Sequence, residues 1–228
     1  MAELMPELPD ILRANRSFLR RAVLYLVDQG ITQFLDLGSG IPTVGNVHEI
    51  AWKANPECHI VYVDIDPVAV VHSRAILRGA DHATAILGDL RRPQEILNDA
   101  QTREMLDFTR PIGLLMIATL HFVPDSDDPR GIIDQYLDAV VPGSYLAISH
   151  ASLEGPTPTR AGEATQQFRR CVTDITTRTR AEVTDLFTAV KLEDPGVVYL
   201  TEWHPEPGDN TSDAARMYTF AGVGRKIG

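Results

Sequence analysis

The chain has 228 residues, 44% hydrophobic and 23% charged, a composition typical of folded globular domains and unlike that of disordered, collagenous or membrane-spanning chains. Its 21 Lys and Arg stand against 31 Asp and Glu, and the net charge of -10 argues against a broad basic face for nucleic acid. Folding at this length buries roughly 70% of the extended-chain surface, so one core suffices without disulfides or structural metal. Cys58 and Cys171 lie far apart and in no metal-type spacing, which predicts free thiols and a cytoplasmic location. The first ten residues hold no basic stretch followed by an apolar one, and no apolar run reaches about 18 residues. Neither a signal peptide nor a membrane span is expected.

A first helix is predicted from about Pro9 to Gln29, where Ile11, Leu12, Phe18, Leu19, Val23, Leu26 and Val27 recur at helical spacing and Gly30 supplies the stop. Its arginines, Arg13, Arg16, Arg20 and Arg21, read as a solvated basic face. Short runs rich in β-branched residues then alternate with helical stretches. The strands are Gln33–Leu37, Ile60–Val63, Thr84–Leu87, Ile112–Ala118 and Tyr145–Ser149; the helices are Val47–Ala54, Pro67–Arg78, Pro93–Leu97 and Gly131–Val140. Strands apolar on both faces and separated by helices predict a doubly wound parallel sheet with right-handed crossovers. A stretch rich in Pro, Thr and Gly follows, Glu154–Gly162, then a polar helical segment, Glu163–Phe187. Two last strands are expected: Val190–Leu192, extending past Pro195 through Val197 to Leu200, and Met217–Gly222, joined as a hairpin through the turn formers of Pro205–Asn210. The expectation is one α/β domain over residues 1–228, with a seven-stranded, mostly parallel sheet ending in an antiparallel hairpin.

Ligands of open parallel sheets bind at the carboxyl ends of the strands, and four of these ends carry polar signatures. Asp36-Leu37-Gly38-Ser39-Gly40 follows the first strand, and its glycines let backbone approach a ligand closely. Asp64-Ile65-Asp66 follows the second, where a carboxylate can accept from a ribose diol. Gly88-Asp89-Leu90 follows the third, with Asp89 placed to accept from an adenine amino group, and Thr119-Leu120-His121-Phe122 follows the fourth. Acids at three successive strand ends point to a nucleoside. Turn-forming and helix-capping duties are the plainer account of each, especially of Asp66 before Pro67. A dinucleotide fingerprint would need glycine where Thr43 stands, Pro42 would remove an N–H from a phosphate cradle, and no Gly-Lys-Ser/Thr occurs. An adenosine ligand without phosphates remains, and S-adenosyl-L-methionine fits.

The order Asp-x-Gly-x-Gly, acid, Gly-Asp-Leu, then Val141-Pro142-Gly143-Ser144-Tyr145 before the fifth strand resembles the class I S-adenosylmethionine-dependent methyltransferases. More narrowly, several segments resemble a bacterial S-adenosyl methyltransferase family formerly catalogued as a domain of unknown function. They are Ala14-Asn15-Arg16-Ser17-Phe18, Phe34 to Thr43, Asn46-Val47-His48-Glu49, Leu120 to Asp125, Ser149-His150-Ala151 and Gly222 to Lys226. The resemblance implies that Asp36, Gly38, Ser39 and Gly40 face the cofactor's methionine moiety, Asp64 and Ile65 the ribose, and Asp89 and Leu90 the adenine. Thr119 completes the cofactor contacts. His121 is the candidate general base, at the strand end where a methyl acceptor approaches the sulfonium. Its plainer alternative is a histidine bonded to neighbouring loop backbone. Asn15 and Arg16 reach the cofactor's carboxylate if the first helix folds over the site.

Asp125, Asp127 and Asp128 are expected to cap the next helix rather than hold a metal. Methyltransferases of this class that act on the amino group of adenine or glutamine typically place Asn/Asp-Pro-Pro-Tyr/Phe after the fourth strand, where this chain has Ala118-Thr119-Leu120-His121. With the acidic charge, this favours a small-molecule acceptor with an oxygen nucleophile, nitrogen or carbon being the alternatives, and no nucleic-acid or membrane partner. Members of the family usually carry an earlier segment with a Tyr-x-x-x-Gly-Gly-Lys-Asp-Asn-like stretch that this sequence lacks. The alternative expectation is accordingly a module that binds the cofactor or its demethylated product without turnover.

Overall fold

Every residue of Gln33–Leu37 (β1) is buried, as expected of a strand covered on both faces in the middle of a parallel sheet. The computed structural model describes residues 8–41, 45–155, 175–209 and 218–228. It sets β1 between His59–Asp64 (β2) and Gly113–Ile117 (β4), both parallel to it. Ala83–Leu87 (β3) lies outside β2, Tyr145–Ala151 (β5) lies beyond β4, and Thr219–Arg225 (β8) runs antiparallel to β5. Lys191–Leu192 (β6) and Val198–Tyr199 (β7) both pair antiparallel with β8. Since β5 fills one side of β8, β6 and β7 share the other, and the order 3-2-1-4-5-8-6 has seven positions. The single strand expected past Pro195 is broken there. Proline offers no ladder N–H, and Gly196 N turns back to Glu193 O at 2.8 Å.

The alternation of side chains along each strand sorts the core into two layers. Phe34, Ile60 and Tyr62 pack against Phe18 and Leu26 of Leu8–Asp28 (α1), Val47 and Ile50 of Val47–Ala54 (α2) and Val70 of Pro67–Ile76 (α3). Leu35, Leu37, Val61 and Val63 pack on the opposite face. Their partners are Pro93–Leu97 (α4), Ala100–Met105 (α5), Pro129–Ala139 (α6) and Arg180–Asp185 (α7). The sequence reading missed α5, which Asp99 starts by accepting from Gln101 N and Thr102 N at 2.9 and 3.2 Å. The single helix expected over Glu163–Phe187 is interrupted. Positions 163–174, with Cys171, lie outside the described residues, residues 175–179 are not helical, and among the described residues of that span the helix is α7. Thr179 and Glu182 form a capping box that starts α7 at Arg180. Cys58 is a buried free thiol, and burial pushes its pKa up to about 11. No helix among the described residues is long and apolar enough to cross a membrane.

A buried guanidinium ties α1 to the far edge of the sheet. Arg21, 3% exposed, donates to Trp203 O at 2.8 Å and Leu200 O at 2.6 Å and pairs with Asp209 at 2.5 Å. Trp203 in turn packs edge-on against Phe18 and Tyr25. Removing Arg21 leaves a largely buried carboxylate and two carbonyls without a donor, so Arg21→Ala is expected to lose about 3–5 kcal/mol in urea unfolding. Arg20→Ala, which breaks the exposed pair with Glu206, is expected to lose less than about 1 kcal/mol. Equal losses would show that the buried network is not what seats α1.

Candidate functional site

The turn after β1 is fixed by crowding. Gly38 has φ +81°, and a Cβ on it would stand 2.1 Å from Thr119 Oγ1 at the end of β4, so no side chain fits. Gly38 N and Ser39 N both donate to Val63 O, at 2.8 and 3.1 Å, and Gly40 N donates to Asp64 Oδ2 at 2.6 Å. All three amides are thus committed within the protein, and this part of the loop is no phosphate cradle. Positions 42 and 43, on which the sequence argument against a dinucleotide leaned, lie outside the described residues.

Asp64 also accepts from Asp66 N, through Oδ1 at 2.9 Å. Each of its oxygens keeps one further lone pair, as a diol requires. Ile65 beside it is 60% exposed, an apolar side chain open to a ligand. Asp66 does cap α3, accepting from Val68 N at 2.8 Å. Asp89 is differently placed: Arg91 donates to both its oxygens from the backbone and the guanidinium, at 2.7 to 3.0 Å, and holds its pKa below the usual range. Arg91 also reaches Asp127 at 3.2 Å. Leu90 O accepts from Tyr136 Oη at 3.0 Å.

At the end of β4, Ala118 adopts φ +55°, a left-handed conformation that a non-glycine residue keeps only when its surroundings impose it. Ser149 of β5 imposes it here, its Oγ taking Ala118 N at 2.9 Å. His121 follows in a single 3-10 turn, half-buried, its Nδ1 enclosed without a hydrogen-bond partner. Burial, helped by His150 and Arg178, pushes the His121 pKa down to about 3. His150, 5.8 Å away ring to ring, is pushed down to about 4, chiefly by burial. Arg178 clamps this turn, donating to Leu120 O at 3.1 Å and Val123 O at 3.0 Å and bonding His150 Nε2 at 2.6 Å and Asp125 at 2.5 Å. Asp125 and Asp127 therefore point to different arginines, while Asp128 caps α6 through Gly131 N. Arg178 carried no signal in the sequence, where it fell inside the helix expected over Glu163–Phe187.

A cavity of about 650 Å³ opens beneath α1. Asp36, Gly38, Ser39 and Gly40 line it, together with Asn15 and Arg16 from α1 and with His48 and Tyr62. Asp64 joins through its bond to Gly40 N and Thr119 through its contact with Gly38, whereas Ile65, Asp89, Leu90 and His121 lie along the same edge of the sheet outside the cavity wall. The Tyr62 hydroxyl, unforeseen in the sequence, accepts from His48 N at 2.8 Å and meets His48 Nδ1 at 2.7 Å. Asp36 is 6% exposed, and burial pushes its pKa up to about 7, with Arg16 offsetting part of the rise and Asp64 adding to it.

This strand order, with an antiparallel β8 and a glycine turn facing acids at the ends of β1 and β2, defines a class I methyltransferase. The chain belongs to the S-adenosyl methyltransferase family, whose model it matches over residues 1–227. It is 36% identical to a Thermobifida fusca YX protein described as a candidate methyltransferase, with a TM-score of 0.91 over 100% of this chain and 85% of the other. It is 37% identical to a Streptomyces avermitilis protein of the DUF574 family, with a TM-score of 0.92 over 99% and 87%. Human N-acetylserotonin methyltransferase, solved with S-adenosylmethionine, shares the fold at 19% identity, with a TM-score of 0.56 over 92% of this chain and 52% of the other. No curated protein sequence matches the chain.

Two expectations follow from this geometry. Gly38→Ala is expected to weaken S-adenosylhomocysteine binding at least tenfold in calorimetry, and Thr119→Gly added to it is expected to recover part of the loss by removing the clash. Asp36 binds its proton more tightly folded than unfolded, so its contribution to stability falls as pH rises from about 4 to about 7 and is level above that. Asp36→Asn is therefore expected to raise the stability of the unliganded protein by roughly 4 kcal/mol at pH 8, and by almost nothing at pH 4, while weakening cofactor binding. A variant no more stable than the parent at pH 8 would contradict it.

Proposed function

We propose that this methyltransferase carries a methyl group from S-adenosyl-L-methionine to the oxygen of a small-molecule acceptor. The observation that carries the reading is the cavity beneath α1, whose volume of about 650 Å³ lies in the range of small-ligand sites. The residues present suit the cofactor: a glycine turn whose Gly38, Ser39 and Gly40 amides are not free for phosphates, a doubly anchored Asp64 with lone pairs left for ribose hydroxyls, and a buried carboxyl, Asp36, that an ammonium group would help to ionise. A cofactor bound there would supply a methyl group on a sulfonium: an acceptor oxygen lone pair forms the new O–C bond, the S–C bond pair returns to sulfur, and the acceptor's hydroxyl proton passes to solvent. Asp89 serves the adenine amino group only after Arg91 releases one of its oxygens.

His121 in this reading is a neutral hydrogen-bond partner for the acceptor and not a store of protons, because its pKa near 3 makes it a weak base. Rate then comes from positioning, with Thr119 and the clamped turn setting where the acceptor oxygen stands. Once an acceptor is identified by screening small hydroxylated compounds, kcat/KM for the cofactor is expected to fall below about pH 7 as Asp36 takes up its proton. That limb is expected to persist in His121→Gln and to vanish in Asp36→Asn. A limb that vanished with His121 instead would make the histidine the titrating base, and methylation of amines alone would move the reaction to nitrogen.

A further inference from the structure

The cavity beneath α1 extends well past the cofactor contacts. Ile65, Asp89 and Leu90 stand outside its wall and Asp64 meets it only through Gly40 N, so an adenosine held by these residues lies along the edge of the sheet. The cofactor's short amino-acid arm is then what enters. Past Asp36 the cavity continues across β2, where Tyr62 is paired with Asp36 in register, to Ser73 and Ile76 in the last turn of α3 and Leu77 just beyond. α3 starts at the ligand edge, so its last turn lies roughly 9 to 14 Å along the helix from that edge.

The walls on this α3 side suit an apolar guest. The polar side chains there are committed within the protein: Tyr62 Oη bonds His48 N and Nδ1, Ser73 Oγ donates to Ala69 O at 2.9 Å, and Asn46 Nδ2 donates to Glu49 at 3.0 Å. The rest of the wall is Leu19, Val47 and Leu77, all buried, with Leu12 and Ile76, which are 55% and 51% exposed. A lone exposed aliphatic side chain is ordinary, but these two come from α1 and α3 and line one cavity, a pairing that marks an apolar binding surface. A polyhydroxylated guest would shed water there without regaining its hydrogen bonds, whereas a ring would take apolar surface out of water.

Ile117 and Ala118, at the end of β4, line the same cavity beside Thr119. The α3 side is therefore continuous with the strand end at which the acceptor oxygen stands in the proposed reaction.

We propose that the α3 side of the cavity seats the body of the methyl acceptor, and that the acceptor is a hydroxylated compound with an apolar, ring-sized body whose hydroxyl end reaches Ala118 and Thr119. This rests on the reading that methyl transfer from S-adenosyl-L-methionine takes place in this cavity, whose volume of about 650 Å³ has room for the cofactor's arm and a ring together.

The probe is 2-naphthol, with glycerol as the polar control, each titrated into the full chain saturated with S-adenosylhomocysteine and read by the methyl NMR signals of Leu, Val and Ile. 2-Naphthol is expected to shift the methyls of Leu19, Val47 and Leu77 saturably, and glycerol to shift none. Two variants locate the binding. Ser73→Leu fills the α3 side, giving up only the bond to Ala69 O, and is expected to weaken 2-naphthol at least tenfold. Ile76→Ser, at an exposed position, is expected to weaken it about threefold to tenfold by removing apolar surface. Both are expected to keep their affinity for S-adenosylhomocysteine within about twofold in calorimetry, which also reports that they fold. The proposal is overturned if the parent binds no 2-naphthol, if Ser73→Leu leaves its binding unchanged, or if 2-naphthol displaces S-adenosylhomocysteine, since the α3 side would then hold the cofactor's arm. Where Ser73→Leu weakens both ligands, Ile76→Ser decides: 2-naphthol alone weakened supports the proposal, and both or neither weakened overturns it. Should the parent bind no S-adenosylhomocysteine, the cofactor reading falls, while the same titration of the unliganded protein still decides what the α3 side takes.

Discussion

The site depends on one costly arrangement, a carboxyl group held almost dry at the end of the central strand. Asp36 belongs to β1, which like β2 and β4 has parallel neighbours on both sides, and its side chain lies on the face covered by α1. Charging it there without a partner is unfavourable, and its pKa near 7 expresses that penalty. The surroundings are organised to make an incoming cation the answer. The β1 turn folds its amides back onto β2 and so offers Asp36 no hydrogen bonds, and Arg16 compensates only in part. In the proposed reading, stability is given up where the cofactor's ammonium group would restore it, a common pattern in binding sites.

Much of this was legible in the sequence, and the limits fall along a physical line. β1 and α2 were read with the bounds they have, because their signals are local: an apolar run between turn formers, and an Asn-Val-His-Glu start. The glycine turn and the acids at Asp36 and Asp64 were legible for the same reason, since one residue's geometry or charge decides each. The helix expected over Glu163–Phe187 does not run unbroken through residues 175–179; polar residues at loose helical spacing had outweighed the Thr179-x-x-Glu182 pair that starts α7. Nothing local announced that Arg178, some fifty residues after Val123 in the chain, would hold the turn bearing His121.

The arginines of α1 show the same divide most sharply. From the sequence they form one basic face, and four equivalent charges invite a single reading. In the fold they have four fates, decided by Asp10 within the helix, by Glu206 and Asp209 from a loop near the other end of the chain, and by the cavity. Residue type and spacing state what a side chain can do, whereas long-range packing decides which of several like side chains is left to do it.

The anchoring of α1 by Arg21 also orders events in time. α1 leaves the ribosome well before the rest of its anchor, since the carbonyls of Leu200 and Trp203 and the carboxylate of Asp209 that receive its guanidinium are made nearly two hundred residues later. α1 can already pack on β1 and α2 through Phe18 and Leu26, but its Arg21 anchor cannot close until the segment after β7 is in place. A nascent chain that has paired β1 with β2 and β4 therefore holds a cavity whose roof rests on apolar packing alone, and completion of the sheet's last edge is what locks it.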